Sequence, residues 1–144
     1  MSPANAAPKI GSSDESIQTI LVVEDEVLIR LPLAEYLRDC GYRVFEASNV
    51  AEAKAVLDAD TPVDLVFSDV NMPGNENGFA LAVWIRQRHP DTKVILTSGI
   101  ANAAEKAESL CEDGPLLTKP YSYNVVLQRI QSLLRQAKRK RSKR

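Results

Sequence analysis

Four polar sites in this chain carry side chains that could together bind a phosphoryl group and a cation. Asp69 directly follows an apolar run and opens a loop of turn-forming residues. Glu24 and Asp25 follow a second apolar run, Thr97 follows a third, and Lys119 follows a fourth. If these runs are parallel strands of one sheet, their carboxyl ends share the edge where α/β proteins bind ligands. The pattern therefore predicts one site built from three carboxylates, a hydroxyl and an ammonium group.

The three carboxylates predict a divalent cation. Acidic groups a few ångströms apart raise one another's pKa by repulsion, and a cation relieves that repulsion. Oxygen ligands without histidine or cysteine suit Mg²⁺, which takes few protein carboxylates and keeps several waters. Taken singly, each motif has another interpretation. Glu24 and Asp25 could favour a helix N-terminus through the dipole, and Asp69 could simply open a turn.

A carboxylate beside a cation is a suitable acceptor for a phosphoryl group. Asp69 would attack phosphorus and form an acyl phosphate. Lys119 would supply a positive point charge, and the Thr97 hydroxyl could donate a hydrogen bond to a phosphate oxygen. The Lys119–Pro120 bond could be cis or trans, and the sequence leaves the isomer open.

Strands and helices alternate along the chain. Apolar runs predict strands near residues 19–23, 43–46, 63–68, 93–96 and 116–118. The intervening segments predict helices over about 27–40, 50–59, 78–88 and 101–110, and a last one from about 123 into the basic tail. Strict alternation favours a parallel sheet covered by helices on both faces, as do the continuous rather than alternating apolar runs. Right-handed crossovers leave few topologies, and the five-stranded flavodoxin-like order is among them.

The first helix contains one conflict and one clear end. Pro32 falls in its interior, where it removes a hydrogen bond at a cost of up to about 3 kcal/mol or forces a kink. Gly41 stands in the position that commonly closes a helix.

Size and composition indicate one soluble domain. The chain has 144 residues, of which 44% are hydrophobic and 26% charged. Residues 1–16 predict a disordered leader, residues 17–137 the domain, and residues 138–144 a basic tail. No stretch is long and apolar enough to cross a bilayer, and the start lacks the apolar centre of a signal peptide. We therefore expect a cytoplasmic protein that does not insert into membranes.

Charge is unevenly distributed along the chain. The tail holds six of the 18 basic residues, so the remainder has 12 basic and 19 acidic residues and a net charge of −7.

The two cysteines and the histidine do not point to a site. Cys40 and Cys111 are too far apart in sequence to suggest a disulfide framework and are expected to be reduced. His89, the only histidine, is expected at the surface or at a helix end.

The ordered motifs resemble a known family. Residues 20–26 (ILVVEDE), 69–74 (DVNMPG), 97–99 (TSG) and 119–121 (KPY) are similar to the receiver domain of two-component response regulators. The spacings of 44, 28 and 22 residues from Asp25 to Asp69, Thr97 and Lys119 in turn also fit that family. The resemblance covers about residues 17–137. It implies a flavodoxin-like, doubly wound parallel sheet of order 2-1-3-4-5 with five helices.

The resemblance also implies roles for the site residues. Asp69 would be phosphorylated by a sensor histidine kinase or a histidine phosphotransfer protein. Asp25 and Asp69 would ligate Mg²⁺ directly, the main-chain carbonyl of Asn71 would be a third ligand, and Glu24 would act mainly through water on the ion. Thr97 and Lys119 would bind the phosphoryl oxygens.

One position departs from the family. Three residues before the lysine the family often has an aromatic side chain that moves on phosphorylation, and this chain has Leu116 there. Tyr121 fits a second aromatic position and is interpreted as a packing residue. Phe79 and Trp84 are interpreted as core or partly exposed residues of the third helix.

The expected function is a single-domain response regulator without an output domain. Phosphorylation would shift the face formed by the fourth helix, the fifth strand and the fifth helix, and an unknown downstream protein would bind it. Catalysis would be limited to self-phosphotransfer and autodephosphorylation, so the chain would not be an enzyme in the usual sense. A phosphate shuttle or sink would use the same chemistry, and homodimerisation is left open.

Two other functions have less support. The basic tail could bind nucleic acid or an acidic membrane surface, but its six charges have no interleaved aromatic residues and also fit a solvated helix end. A phosphatase on the same fold would often carry a second aspartate two residues after the nucleophile, and Asn71 stands there.

Overall fold

The computed structural model describes residues 17–72, 74, 76–98 and 117–142, with side chains through residue 136. Several sequence predictions lie outside these residues: the leader 1–16, the helix over 101–110, Gly99, Cys111, Leu116 and the tail side chains. The predicted boundaries of the leader, the domain and the tail stay predictions.

Five parallel strands form one sheet in the order β2-β1-β3-β4-β5. They are β1 (Thr19–Val23), β2 (Arg43–Ala47), β3 (Leu65–Asp69), β4 (Lys93–Ser98) and β5 (Leu117–Thr118). This order confirms the predicted flavodoxin-like, doubly wound α/β fold.

Four helices lie within the described residues. They are α1 (Val27–Asp39), α2 (Val50–Leu57), α3 (Gly78–Arg88) and α4 (Tyr123–Ser142). The start and end of α3 match the prediction, and α2 ends two residues early because the Ala59 N–H bonds to the Val56 carbonyl in a tighter turn. None of the described helices is long and apolar enough to cross a membrane.

The ends and the interior of α1 follow local chemistry. Gly41 has a φ of +106° just past the helix, where its N–H bonds to the Arg38 carbonyl and the Tyr42 N–H bonds to the Leu37 carbonyl. This pair of bonds is the Schellman arrangement, and the left-handed backbone explains the glycine. Pro32 lies inside the helix as predicted. Its missing N–H would face the Leu28 carbonyl, and both residues are exposed, so water can solvate the freed oxygen.

The inner strands β1, β3 and β4 carry continuous apolar runs because the sheet has a core on both faces. In β1, Ile20 and Val22 pack into one core with α1 and α4, whereas Leu21 and Val23 pack into the other with α2 and α3. All four side chains are fully buried. Successive side chains of a strand point to opposite faces, so a strand covered on both sides needs no polar alternation.

The start of β3 differs from the prediction by two residues. The N–H and carbonyl of Asp64 still bond to Thr19 and Lys93, but the Val63 carbonyl accepts a hydrogen bond from the Thr92 hydroxyl instead. Regular pairing therefore begins at Leu65 and runs through Asp69. The strand ends at Asp69, one residue beyond the predicted end, so this carboxylate belongs to the last residue of a buried strand.

Candidate functional site

Asp69 is buried at the carboxyl end of β3, with 5% of its surface exposed. Its Oδ1 accepts a hydrogen bond from the Asn71 N–H at 3.3 Å. The next residue, Val70, donates its N–H to the Thr97 carbonyl at 2.8 Å, and this bond ties the start of the loop to β4. One backbone N–H thus orients the carboxylate, and a second fixes the start of the loop that follows it.

Helix α3 begins against the backbone of this loop. The Gly78 N–H donates to the Val70 carbonyl at 2.9 Å. A Cβ atom at Gly78 would overlap the Asp69 carbonyl oxygen and lie 2.8 Å from the Val70 Cα. Glycine is required here because the helix approaches main-chain atoms that cannot rotate away.

Lys119 reaches the carboxylates from the end of β5. Its Nζ lies 3.1 Å from Asp69 Oδ2 and 3.4 Å from Glu24 Oε1. Its main-chain N–H bonds to the Ser98 carbonyl at 3.1 Å, and the Lys119–Pro120 peptide is cis. Partial burial lowers the pKa of Lys119, but the hydrogen bonds and charges of Asp69 and Glu24 outweigh that effect and raise it overall. Lys119 therefore stays protonated.

Glu24 and Asp25 follow β1 at the same edge of the sheet. Glu24 is buried, with 4% of its surface exposed, whereas Asp25 is exposed. One carboxylate oxygen from each of Glu24, Asp25 and Asp69 lies within 4.8 Å of the others. Burial raises the pKa of Glu24, the Glu26 N–H lowers it, the charge of Asp69 raises it, and Lys119 lowers it. The net direction is upward.

The charge of this acidic cluster fits a divalent cation. With all three carboxylates ionised, the single ammonium group of Lys119 leaves two negative charges uncompensated. The donors are all hard oxygens, which Mg²⁺ prefers. The raised pKa of Glu24 is the mark of a carboxylate held in a crowded, partly desolvated position.

The remaining predicted site residues adjoin the cluster. Thr97 is 1% exposed and is the β4 partner of Asp69 in the sheet register. Asn71 is exposed, and its main chain lies beside the Asp69 carboxylate through the hydrogen bond already given. The structure therefore brings Glu24, Asp25, Asp69 and Lys119 into mutual reach and puts Thr97 and Asn71 next to Asp69.

Aromatic residues near the site pack as expected. Tyr121 meets the Phe67 ring edge to face with centroids 5.6 Å apart, and burial raises the pKa of Tyr121 to about 12. Trp84 is half-buried on α3. His89 stands at the end of that helix, as predicted, and its Nε2 lies 3.1 Å from Asp58 Oδ1.

Two residues with a bearing on the site were missed in the sequence. Gly78 gave no signal, because no pattern reveals which backbone a helix will approach. Arg30 donates to the Glu24 main-chain carbonyl at 2.9 Å. Its position five residues after Asp25, on the first turns of α1, was the available signal for a side chain that could fold back to the strand end.

Comparison with known proteins connects this geometry to a family. The sequence profile of the response regulator receiver domain matches residues 20–131. The sensor histidine kinase RcsC of Escherichia coli K12 is 38% identical over 130 residues, which are 88% of this chain and 13% of RcsC. The aerobic respiration control protein ArcA of the same strain is 36% identical over 117 residues, which are 80% of this chain and 48% of ArcA. The chain thus spans about half, or much less, of the length of these relatives.

A solved structure shows the same likeness. The response regulator protein TrrA of Thermotoga maritima, in complex with Mg²⁺ and beryllium fluoride, is 30% identical with a TM-score of 0.71. The match covers 81% of this chain and 99% of TrrA. The family match extends from β1 to α4 and includes all the site residues described above. This chain belongs to the response regulator receiver domain family.

Proposed function

We propose that this chain accepts a phosphoryl group on Asp69 from a phosphohistidine of a sensor histidine kinase or a histidine phosphotransfer protein. The observation that supports this most directly is the buried Asp69 carboxylate, 3.1 Å from Lys119 Nζ and within 4.8 Å of two further carboxylates. A carboxylate held 3.1 Å from a fixed ammonium group at the carboxyl edge of a parallel sheet is suited to nucleophilic attack.

The transfer is a substitution at phosphorus. An Asp69 carboxylate oxygen forms the new P–O bond, the P–N bond to the donor imidazole breaks, and the donor keeps the electron pair. Lys119 exchanges its contact with Asp69 Oδ2 for one with a phosphoryl oxygen and so balances the transferred charge. The Thr97 hydroxyl on the neighbouring strand donates a hydrogen bond to another phosphoryl oxygen. Water later cleaves the acyl phosphate, which releases inorganic phosphate and regenerates the Asp69 carboxylate, so the chemistry is limited to self-phosphotransfer and autodephosphorylation.

Mg²⁺ is the cofactor that this donor set fits. Asp25 and Asp69 would hold the ion directly through their carboxylates, Asn71 would contribute its main-chain carbonyl, and Glu24 would act mainly through water on the ion. When bound, the ion neutralises negative charge on the carboxylates and on the transferring group.

Signalling requires that the modification reach a surface. Thr97 pairs with Leu117 in the sheet register, and Ser98 pairs with Thr118, so the end of β4 is joined directly to β5. A shift of Thr97 toward the phosphoryl group would therefore act on β5 through this pairing. We propose that a downstream protein reads this change on the face that contains β5, α4 and the predicted helix over 101–110, with Leu116 in place of the frequent aromatic switch.

Stoichiometric labelling tests the proposal. Wild-type protein is incubated with acetyl phosphate and Mg²⁺, and incorporation is measured by intact mass. We expect one phosphoryl group on the wild type, none on Asp69→Asn, and none when the metal is chelated.

Asp64→Asn is the matched control, because Asp64 directly precedes the first residue of β3 and Asp69 is the last residue of that strand. Its Oδ2 accepts the Thr19 N–H at 2.8 Å, and an asparagine oxygen can keep that bond. Incorporation into Asp69→Asn at the wild-type level would overturn the proposal.

A further inference from the structure

Arg30 joins the acidic cluster to the second strand. Its Nη1 donates to the main-chain carbonyl of Glu24 at 2.9 Å, and its Nε donates to Glu46 Oε1 at 3.0 Å. The side chain is 18% exposed, so these contacts are partly shielded from water. Arg30 lies on α1, Glu24 follows β1 and Glu46 lies on β2. One guanidinium group thus spans three elements.

The Glu24 carbonyl lies where the sheet no longer fixes the chain. Paired residues of β1 end at Val23, and the Glu24 N–H still bonds to the Ala47 carbonyl at 3.0 Å. Arg30 donates a hydrogen bond to the main-chain carbonyl of the same residue. Both peptide groups of Glu24 are therefore held, which sets the direction in which its side chain and that of Asp25 leave the strand.

We propose that Arg30 is the positioning residue for the cation-binding carboxylates of this chain. By holding the Glu24 carbonyl against Glu46, it fixes the turn from β1 to α1 and keeps Glu24 and Asp25 directed at Asp69. The hydrogen bonds described for Arg30 go to the Glu24 main-chain carbonyl and to Glu46, so Arg30 would act through the carboxylates that follow β1. The inference rests on the proposed function of the acidic cluster as a Mg²⁺ site.

Arginine suits this role better than lysine. Its planar fork donates from two nitrogens in fixed directions, one to the carbonyl and one to the carboxylate. Lysine would keep the positive charge but could not hold both acceptors in the same geometry. Arg30→Lys therefore separates positioning from charge.

Arg38 supplies a matched control on the same helix. Its Nη2 donates to Glu46 Oε2 at 3.1 Å and to the Val44 carbonyl at 2.9 Å, so it also ties α1 to β2. No contact joins Arg38 to Glu24 among the bonds described. Arg38→Gln thus loosens the same pair of elements without releasing the turn that carries the carboxylates.

The test is a titration of the full chain with Mg²⁺, followed through backbone amide NMR signals of Asp25 and Asp69. Arg30→Lys and Arg30→Gln should weaken Mg²⁺ binding by about tenfold or more, as loss of partners behind metal ligands commonly does. Glu46→Gln should weaken it less, because Arg30 keeps the carbonyl contact. Arg38→Gln should bind Mg²⁺ as the wild type does. Circular dichroism at the same temperature selects the variants that are fully folded.

The outcomes separate this inference from the proposed function. If the wild type binds Mg²⁺ and Arg30→Lys binds it equally well, the positioning role is wrong while the site stands. If Arg30 and Arg38 variants weaken binding equally, the effect is general loosening of α1 and the inference is also wrong. If the wild type binds no Mg²⁺, the cation site itself is wrong, and the role of Arg30 is overturned with it.

Discussion

Replacing Gly78 by alanine should damage the acceptor site more than the fold. The added Cβ would overlap the Asp69 carbonyl oxygen and lie 2.8 Å from the Val70 Cα. Both are main-chain atoms, so either α3 or the loop after β3 must move by several tenths of an ångström. Where the loop moves, the Asp69 carboxylate moves with it, and its distances to Lys119 and Glu24 change as well.

The expected loss of stability is moderate. Overpacking typically lowers the free energy of unfolding by about 1–3 kcal/mol. Replacing a helical glycine by alanine raises it by roughly 0.5–1 kcal/mol. The net effect is a destabilisation of about 1–2 kcal/mol, which lowers the melting temperature by about 2–8 °C for a domain of this size. The effect on phosphorylation should be larger, about tenfold or more in rate, because a small misplacement of a reacting group is costly.

Gly41→Ala is the control for Gly78→Ala. Gly41 has a φ of +106° at the end of α1, where alanine would be strained by about 1–2 kcal/mol. Both variants should therefore unfold at similar urea concentrations, but only Gly78→Ala should lose rate in Mg²⁺-dependent labelling by acetyl phosphate. Equal labelling rates for the two variants, at equal folded fractions, would refute the reasoning.

Three further outcomes are expected. Lys119→Ala removes the ion pairs with Asp69 and Glu24, so it should lower the stability of the metal-free protein by about 1–2 kcal/mol after allowance for partial exposure. Mg²⁺ should restore part of that stability in thermal melts without restoring the labelling rate. Burial raises the pKa of Tyr42 from 10.0 to about 12. Its contribution to the free energy of unfolding is therefore complete below pH 10 and is lost as pH rises toward 12. The free energy of unfolding, measured by urea titration, should fall by about 2–3 kcal/mol over this pH range in the wild type and by less in Tyr42→Phe. An identical alkaline profile for the two proteins would contradict this prediction. Removal of residues 138–144 should leave Asp69 labelling intact, and its loss in the truncated protein would assign the tail a part in the reaction.

The sequence was sufficient to place the reactive groups because strand ends can be read from apolar runs. Asp69 and Lys119 each follow such a run, and parallel strands bring their carboxyl ends to one edge. The 3.1 Å contact between these two side chains is the consequence of that rule. Gly41 was equally readable, since a glycine after an amphipathic segment commonly adopts the left-handed backbone that ends a helix.

Contacts of long side chains could not be read in the same way. Arg30 and Arg38 both reach Glu46, yet only Arg30 also holds the Glu24 carbonyl. Spacing along α1 is compatible with many rotamers of each side chain, and the choice depends on where the packed helix lies relative to the sheet. The close approach at Gly78 has the same origin, because the distance between α3 and the loop is set by the packing of the whole layer.

The central claim is that Asp69 carries the phosphoryl group, and chemical trapping tests it most directly. Wild-type protein labelled by acetyl phosphate in Mg²⁺ is reduced with borohydride, which converts an aspartyl phosphate to homoserine, and the peptides are sequenced by mass spectrometry. Homoserine at position 69 alone, absent after chelation of Mg²⁺, is the predicted result. Homoserine at another acidic residue such as Asp25 or Asp64, or none at all in folded and metal-loaded protein, would contradict the assignment of the acceptor.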